Sequence, residues 1–157
     1  MSSGWSAFFP RFYRLLARLD PLIGAWWSAF GMGNIVELTV PGRHSGRPRR
    51  LFLGLLTVDG RRYLGHPNGD TAWTRNLEAG GGGILELHEQ PPFRFRIVRL
   101  SPGLERDAVV RASWHQHVFP GNVVYRLARR HVARIGTYYR IEPVDAEVTS
   151  AAPSPDL

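Results

Sequence analysis

The spacing of apolar and charged positions changes several times along the chain, and each change marks an element. Over Phe8–Leu19, apolar residues stand at 8, 9, 12, 13, 15, 16 and 19 with Arg11, Arg14 and Arg18 between them. That is the spacing of an amphipathic helix. Asp20-Pro21 punctuates it, and a second short helix is predicted to about Phe30. From Asn34 the texture becomes that of strands. Ile35–Val40 reads as a strand, Pro41–Pro48 as a turn, Arg49–Val58 as one continuous strand, and Asp59-Gly60 as a hairpin turn into Arg62–Gly65. His66–Asp70 is a breaker loop, and Asp70 is placed to cap a helix over Thr71–Ala79. Gly80–Gly83 is expected to end that helix. Ile84–His88 and Phe93–Leu100 alternate as a second hairpin around the turn Glu89–Pro92. Ser101-Pro102 opens a helix running to about Val118. Phe119-Pro120-Gly121 breaks it, Asn122–Ala133 forms a further helix, and Gly136–Ile141 is a last strand.

Strands joined by tight turns predict an antiparallel sheet. In a chain this short, such a sheet buries its face best by curling into a small barrel with helices against it. The expected class is α+β. Residues 1–33 form N-terminal helices, residues 34–143 form the barrel domain, and residues 144–157 belong to a disordered tail whose Pro, Ala and Ser enrichment begins at about Glu142.

Composition narrows the functions. The 157 residues suffice for one domain with a substantial core. With no cysteine there are no disulfides, thiolate metal sites or cysteine nucleophiles. The net charge is +7, and all 20 basic residues are arginine. Arginine presents a planar fork of donors suited to phosphate and carboxylate. A basic surface points to anionic partners: nucleic acid, lipid or an acidic small molecule. No basic-then-apolar secretory signal is present, so a cytoplasmic location is expected. The uncharged stretch Pro21–Val36, at 16 residues, is short for a membrane span. The N-terminal helices are expected either to pack on the domain or to touch an anionic membrane surface.

Two stretches can carry chemistry. Gly42–Arg50 holds Arg43, Arg47, Arg49 and Arg50 with no acid, and its two glycines let backbone amides converge on one ligand. Such a bend suits phosphate, although a solvated basic turn would have the same composition. His66–Leu77 combines a loop, a helix N-terminus and the pair Trp73 and Asn76, three apart on one helix face. An indole beside an amide suits a planar heteroaromatic ring. A core tryptophan beside a capping network is the alternative. No phosphate-binding glycine fingerprint of the common nucleotide folds is present. His115 and His117 lie two apart on a predicted helix, a poor metal pair, and no metal site is expected. Tyr138 and Tyr139 alternate faces on a strand, so at least one belongs to the core.

Together, Gly-Arg-x-Ser-Gly-x-Pro-Arg at 42–49 and Trp-x-x-Asn-Leu at 73–77, about 25 residues further on, resemble the deazaflavin-dependent nitroreductase family of actinobacteria and their relatives. The resemblance covers roughly residues 34–143. It implies an FMN-binding split-barrel-like fold and the coenzyme F-420, a two-electron hydride carrier with a phosphate and an oligoglutamate tail. It carries Arg43, His44 and Ser45 onto the family's phosphate-contacting turn, with Arg47 and Arg49 beside them. It also implies that Arg50, Leu51, Phe52 and Leu53 lie on the strand lining the coenzyme. His66, Pro67, Asn68 and Gly69 replace a small-polar loop, and Trp73 and Asn76 match the family's Trp and Asn. The family's Tyr-Pro-x-Tyr stretch reads Phe119-Pro120-Gly121-Asn122 here, and only Tyr125 keeps a phenol.

The leading expectation is an oxidoreductase passing hydride from the reduced deazaflavin to a quinone, enone or other activated double bond. Tyr125 or His66 would donate a proton or orient the acceptor. FMN is the alternative cofactor, and a non-catalytic coenzyme-binding or storage protein is the alternative function. Nucleic-acid binding has charge in its favour and no recognised motif. The chain is expected to be a monomer or a homodimer.

Overall fold

The computed structural model describes residues 4–31 and 33–144. Helices α1 (Gly4–Ala17) and α2 (Asp20–Phe30) lead into strands β1 (Ile35–Pro41), β2 (Pro48–Gly54), β3 (Leu56–Val58) and β4 (Arg61–His66). Helix α3 (Ala72–Gly80) separates these from β5 (Gly82–Glu86) and β6 (Phe93–Arg99). Helices α4 (Leu104–Gln116), α5 (Gly121–Leu127) and α6 (Arg129–Ile135) precede β7 (Thr137–Pro143). All seven strands join one antiparallel sheet in the order β2-β1-β5-β6-β7-β4-β3.

The expected single strand Arg49–Val58 is broken at Leu55, and this break shapes the fold. Its two halves lie on opposite edges of the sheet although one residue joins them. The sheet must curl until its edges meet there. Asn34 holds the junction: Leu55 N–H donates to the Asn34 carbonyl at 2.8 Å, and Asn34 Nδ2 donates to the Leu55 carbonyl at 3.0 Å. Apolar periodicity runs straight through Leu55, so only these long-range bonds mark the break.

Curling gives the sheet two apolar faces, because successive side chains alternate. The inner face carries Val36, Leu38, Val40, Leu64, Leu85, Phe95, Tyr139 and Ile141, closed by Leu77 of α3. On the outer face, Leu56, Tyr63 and Tyr138 pack against α1, α4, α5 and α6 through Phe9, Val109, Tyr125 and Val132. Tyr138 and Tyr139 are therefore both core residues, one on each face. Helix α1 docks through Phe9, whose side chain is fully buried, a gain of about 1.5–3 kcal/mol.

Other expectations need correction. Gly82 and Gly83 do not belong to the helix stop; they begin β5. A Cβ on Gly82 would overlap the Phe95 carbonyl, and one on Gly83 would lie 2.7 Å from the Thr39 carbonyl. Glycine there is a condition of squeezing β5 between β1 and β6. Asp70 does not cap α3. Thr71 takes the cap position, and its N–H donates to Thr74 Oγ1 at 2.8 Å. The Asp70 carboxylate instead accepts from Thr137 Oγ1 at 3.0 Å and pairs with Arg99 at 3.1 Å, tying the loop to β6 and β7. Helix α4 starts at Leu104, where Asp107 N–H bonds the Gly103 carbonyl, so Ser101 and Pro102 lie in the bend before it. The helix expected over Asn122–Ala133 is interrupted at Ala128. Strand β7 runs on through Glu142 and Pro143, and Val144 N–H bonds the Arg94 carbonyl at 2.9 Å. Residues 145–157 of the expected tail lie outside the described residues. No described helix is long and apolar enough to cross a membrane.

Candidate functional site

The basic bend joins β1 to β2. Gly42 N–H donates to the Arg47 carbonyl at 2.9 Å, and Gly46 N–H donates to the Gly42 carbonyl at 2.8 Å. Gly46 has φ 67°, a left-handed conformation that favours glycine. Ser45 Oγ accepts from the Arg47 N–H at 3.3 Å. These bonds close residues 42–47 into a tight loop, with residues 43–50 exposed.

Arg43 ties the bend to α3. Its backbone N–H and its guanidinium both donate to Asn76 Oδ1, at 3.2 and 2.9 Å, and the guanidinium also reaches the Ala72 carbonyl at 3.3 Å. The two stretches singled out in the sequence therefore meet. Arg43 and Asn76 serve as the staple, so both are partly occupied with each other. Arg50 pairs with Glu37 at 3.6 Å. Among the described residues, Arg47 and Arg49 have no acid partner, and His44 stands exposed beside them. Thr71 Oγ1, next to Ala72, is buried and faces the Thr74 N–H in the capping box of α3.

The β1–β2 register sorts the strand residues. Arg49, Leu51 and Leu53 stand opposite Val40, Leu38 and Val36, on the inner face. Trp73, half-buried, packs against the same core. Arg50 and Phe52 point the other way, and the Phe52 ring meets Trp27 of α2 at 5.5 Å. Leu51, Leu53, Trp73 and Arg49 thus share one side, and Arg50 and Phe52 are not among them.

The loop 66–70 is held from below by α1. His66 is 8% exposed and Tyr125 4%. The His66 ring lies 6.3 Å from Trp73 and 5.1 Å from Tyr13. The Tyr13 and Tyr125 hydroxyls are 3.2 Å apart, and His117 packs on the Tyr125 ring at 4.3 Å. Asn68 donates to the Ser6 carbonyl at 3.3 Å and meets His131 Nε2 at 2.8 Å. Pro67 is buried and Gly69 half-buried in the same loop. Tyr13 is the residue that sequence reasoning missed. It stands between His66 and Tyr125, yet in the sequence it is one more apolar position of an amphipathic helix. The available signal was its hydroxyl, on the face of α1 that also carries Ser6.

Burial sets the protonation of this chain of groups. It pushes His66 and His117 down from 6.5 to about 4, so both rings are neutral at neutral pH. His66 Nδ1 accepts the Asn68 N–H at 3.2 Å, which leaves the ring proton on Nε2. Burial pushes the Tyr13 phenol up to about 12 and Tyr125 well above its usual value, so both stay protonated.

Two clefts lie elsewhere. One, of about 410 Å³, is lined by Gly80–Gly83, Thr39, Arg94 and Arg96, and the other, of about 530 Å³, by Arg99, Arg106, Arg134 and Thr137. Neither is lined by Arg43, Trp73 or Tyr125. Among the described residues, no group of three or more His, Asp or Glu residues can hold a metal ion.

No family model matches the chain, and none of the curated proteins does. Solved structures do. An F420-H2 dependent reductase (FDR-A) superposes with a TM-score of 0.54 at 18% identity, over 69% of this chain and 94% of its own. A conserved hypothetical protein, Rv2991 from Mycobacterium tuberculosis, gives 0.56 at 13% identity, over 78% of this chain and 79% of its own. HutZ, the heme storage protein from Vibrio cholerae, gives 0.56 at 12% identity, over 82% and 92%. Identities this low speak for the fold alone, and the fold so identified is the split β-barrel, here with seven antiparallel strands and six helices among the described residues.

Proposed function

We propose that this chain binds a deazaflavin coenzyme of the F-420 type between the Gly42–Arg50 bend and α3, and that it works as a hydride-transferring reductase. The supporting observation is the staple from Arg43 to Asn76 and Ala72, which sets a basic bend beside a helix carrying a half-buried indole. The residues fit the group. Arg47 and Arg49 offer guanidinium forks to the phosphate and acidic tail. His44 and Ser45 line the bend. Trp73, Leu51 and Leu53 give flat and apolar surface for the ring and exclude water. When bound, the reduced deazaflavin supplies a hydride to an electrophilic acceptor, in this reading a quinone, enone or other activated double bond.

The chain's own residues supply orientation and electrostatics. His66 holds its proton on Nε2 beside Trp73 and is the nearer candidate to orient an acceptor. Tyr125 acts on it only through Tyr13, as a positioning residue. A second reading, coenzyme binding or storage without catalysis, is favoured by the burial of both His66 and Tyr125 beneath α1. HutZ, with the same fold, is a heme storage protein by name.

The test is a fluorescence titration of the purified protein with the deazaflavin coenzyme and with FMN. Deazaflavin is expected to bind more tightly. Arg47→Ala with Arg49→Ala should weaken binding by about ten- to a hundredfold, from two lost charge-assisted contacts at an exposed site. Raised salt should weaken the wild type as well. Tighter FMN binding overturns the cofactor, and wild-type affinity in the double variant removes the bend from the site. Turnover of reduced coenzyme with a quinone separates reductase from storage protein.

A further inference from the structure

Large apolar side chains are exposed on two adjoining parts of the helical layer. On α1 and α2, Leu15 is 60%, Leu22 70% and Trp26 58% exposed. Leu22 and Trp26 are four apart and share one face of α2. On and just before α5, Phe119, Val123 and Leu127 recur every fourth residue and are 78%, 44% and 68% exposed. They stand opposite Tyr125, the residue α5 buries. Helices α1 and α5 are neighbours, since Phe9 of α1 meets the Tyr125 ring at 6.3 Å and the Tyr13 and Tyr125 hydroxyls touch, and α2 follows α1 after two residues.

The segments that carry these apolar faces, continued through α6, have charge of almost one sign. Residues 4–30 and 119–135 together contain seven arginines, at 11, 14, 18, 126, 129, 130 and 134, and a single acid, Asp20. Among the described residues, none of the seven forms an ion pair. Water-facing helices normally carry mixed charge, and isolated monomers seldom leave apolar stripes on consecutive helices. A second copy of the chain would bring the same seven arginines against themselves. A partner presenting anionic groups above an apolar layer meets both features, and a bilayer with acidic headgroups presents that combination.

We propose that α1, α2 and α5 form a docking surface for an anionic membrane, with Leu15, Leu22, Trp26 and the Phe119–Leu127 stripe entering the headgroup boundary while the arginines meet lipid phosphates. The inner face of α1 carries Phe9 and Tyr13 onto Tyr125 and His66, so a docked bilayer lies about one helix diameter, on the order of 10 Å, from the loop 66–70. For an acceptor dissolved in lipid that is the short way in; this last consequence, unlike the docking itself, rests on the proposed reductase function.

The test is vesicle flotation of the full chain without coenzyme, so that it is independent of the cofactor assignment. Vesicles of phosphatidylcholine alone are compared with vesicles also containing phosphatidylglycerol. The expected result is binding to the anionic vesicles only, reversed by salt. Leu15→Glu with Leu22→Glu, and separately Val123→Glu with Leu127→Glu, should each reduce binding at least tenfold. All four positions are exposed, and an unchanged circular dichroism melt shows that the variants fold. Absence of vesicle binding by the wild type overturns the proposal, as does equal binding by the variants. So does a wild-type dimer that these substitutions dissociate while no vesicle is bound, since the face then belongs to a second copy.

Discussion

Asn76 gives the sharpest test of the site, because one oxygen holds two parts of the molecule together. Its Oδ1 accepts the Arg43 N–H at 3.2 Å and the Arg43 guanidinium at 2.9 Å, both at an exposed location. Each bond contributes about 0.5–1.5 kcal/mol, and the exposed setting favours the lower half of that range, so the staple amounts to about 1–2 kcal/mol. Asn76→Ala removes both bonds and leaves the 3.3 Å bond from the Arg43 guanidinium to the Ala72 carbonyl. The bend is on the surface and its own internal bonds remain, so global stability should fall by little, roughly 2–4 °C in Tm per kcal/mol lost for a chain of this size. The larger effect is local. Arg43–Arg47 lose the Asn76 part of their anchor, and their amides should exchange faster by about five- to thirtyfold, the same free energy expressed as a ratio. If the bend holds the coenzyme, affinity should drop by a similar factor, since an unanchored bend must be ordered on binding. Asn76→Asp separates anchoring from charge. It keeps the acceptor and adds at most about 1 kcal/mol of surface ion pairing to Arg43. It also places a carboxylate among the arginines, a like-charge cost for an anionic ligand of roughly 0.5–2 kcal/mol. The aspartate variant should therefore exchange as slowly as wild type and yet bind coenzyme about two- to thirtyfold more weakly. Hydrogen exchange read by mass spectrometry, together with fluorescence titration, checks both. Wild-type exchange in Asn76→Ala refutes the staple, and wild-type affinity in Asn76→Asp refutes an anion at the bend.

Two further predictions concern the buried groups beneath α1. His66 and His117 titrate near 4 in the folded chain and at 6.5 when unfolded, so between those values the unfolded state binds more protons. Their stabilising effect is complete above pH 6.5 and is lost as pH falls toward 4, by up to about 1.4 kcal/mol per pH unit for each ring. His117→Phe should remove about half of that slope in urea unfolding across this window; a slope identical to wild type would show that His117 is not buried neutral. Tyr13→Phe strands the Tyr125 hydroxyl in the core at a cost of about 1–3 kcal/mol, visible as a lower thermal midpoint. Adding Tyr125→Phe should restore part of the loss, and strictly additive effects in the double-mutant cycle would argue against the 3.2 Å hydroxyl contact.

Local pattern was enough for most elements. Helix α1 and strands β1, β4, β5, β6 and β7 follow from periodicity, because apolar spacing reports which side of an element will meet a core, and α2, α3 and α4 follow from breaker and cap signals. The bend at 42–47 was legible because glycine, proline and arginine each constrain it through their own chemistry. Three of the misreadings share one cause. Leu55, Gly82 and Gly83, and Asp70 are placed by partners distant in sequence: the Asn34 amide, the Phe95 and Thr39 carbonyls, and Thr137 with Arg99.

By itself, then, the sequence determined an antiparallel sheet with helices, an acid-free basic bend and an indole-bearing helix. The sequence also implied that the sheet curls; the tertiary structure decided where the curl closes, at Leu55, because β2 and β3 are joined through that one residue while lying at opposite edges. Through that curl and the Arg43–Asn76 bonds it brought the bend against α3, and it turned Arg50 and Phe52 away from Trp73. It also placed Tyr13 between His66 and Tyr125. Side-chain periodicity tells which face a residue occupies, but which faces meet depends on hydrogen bonds between residues far apart in the chain, and these leave no local trace.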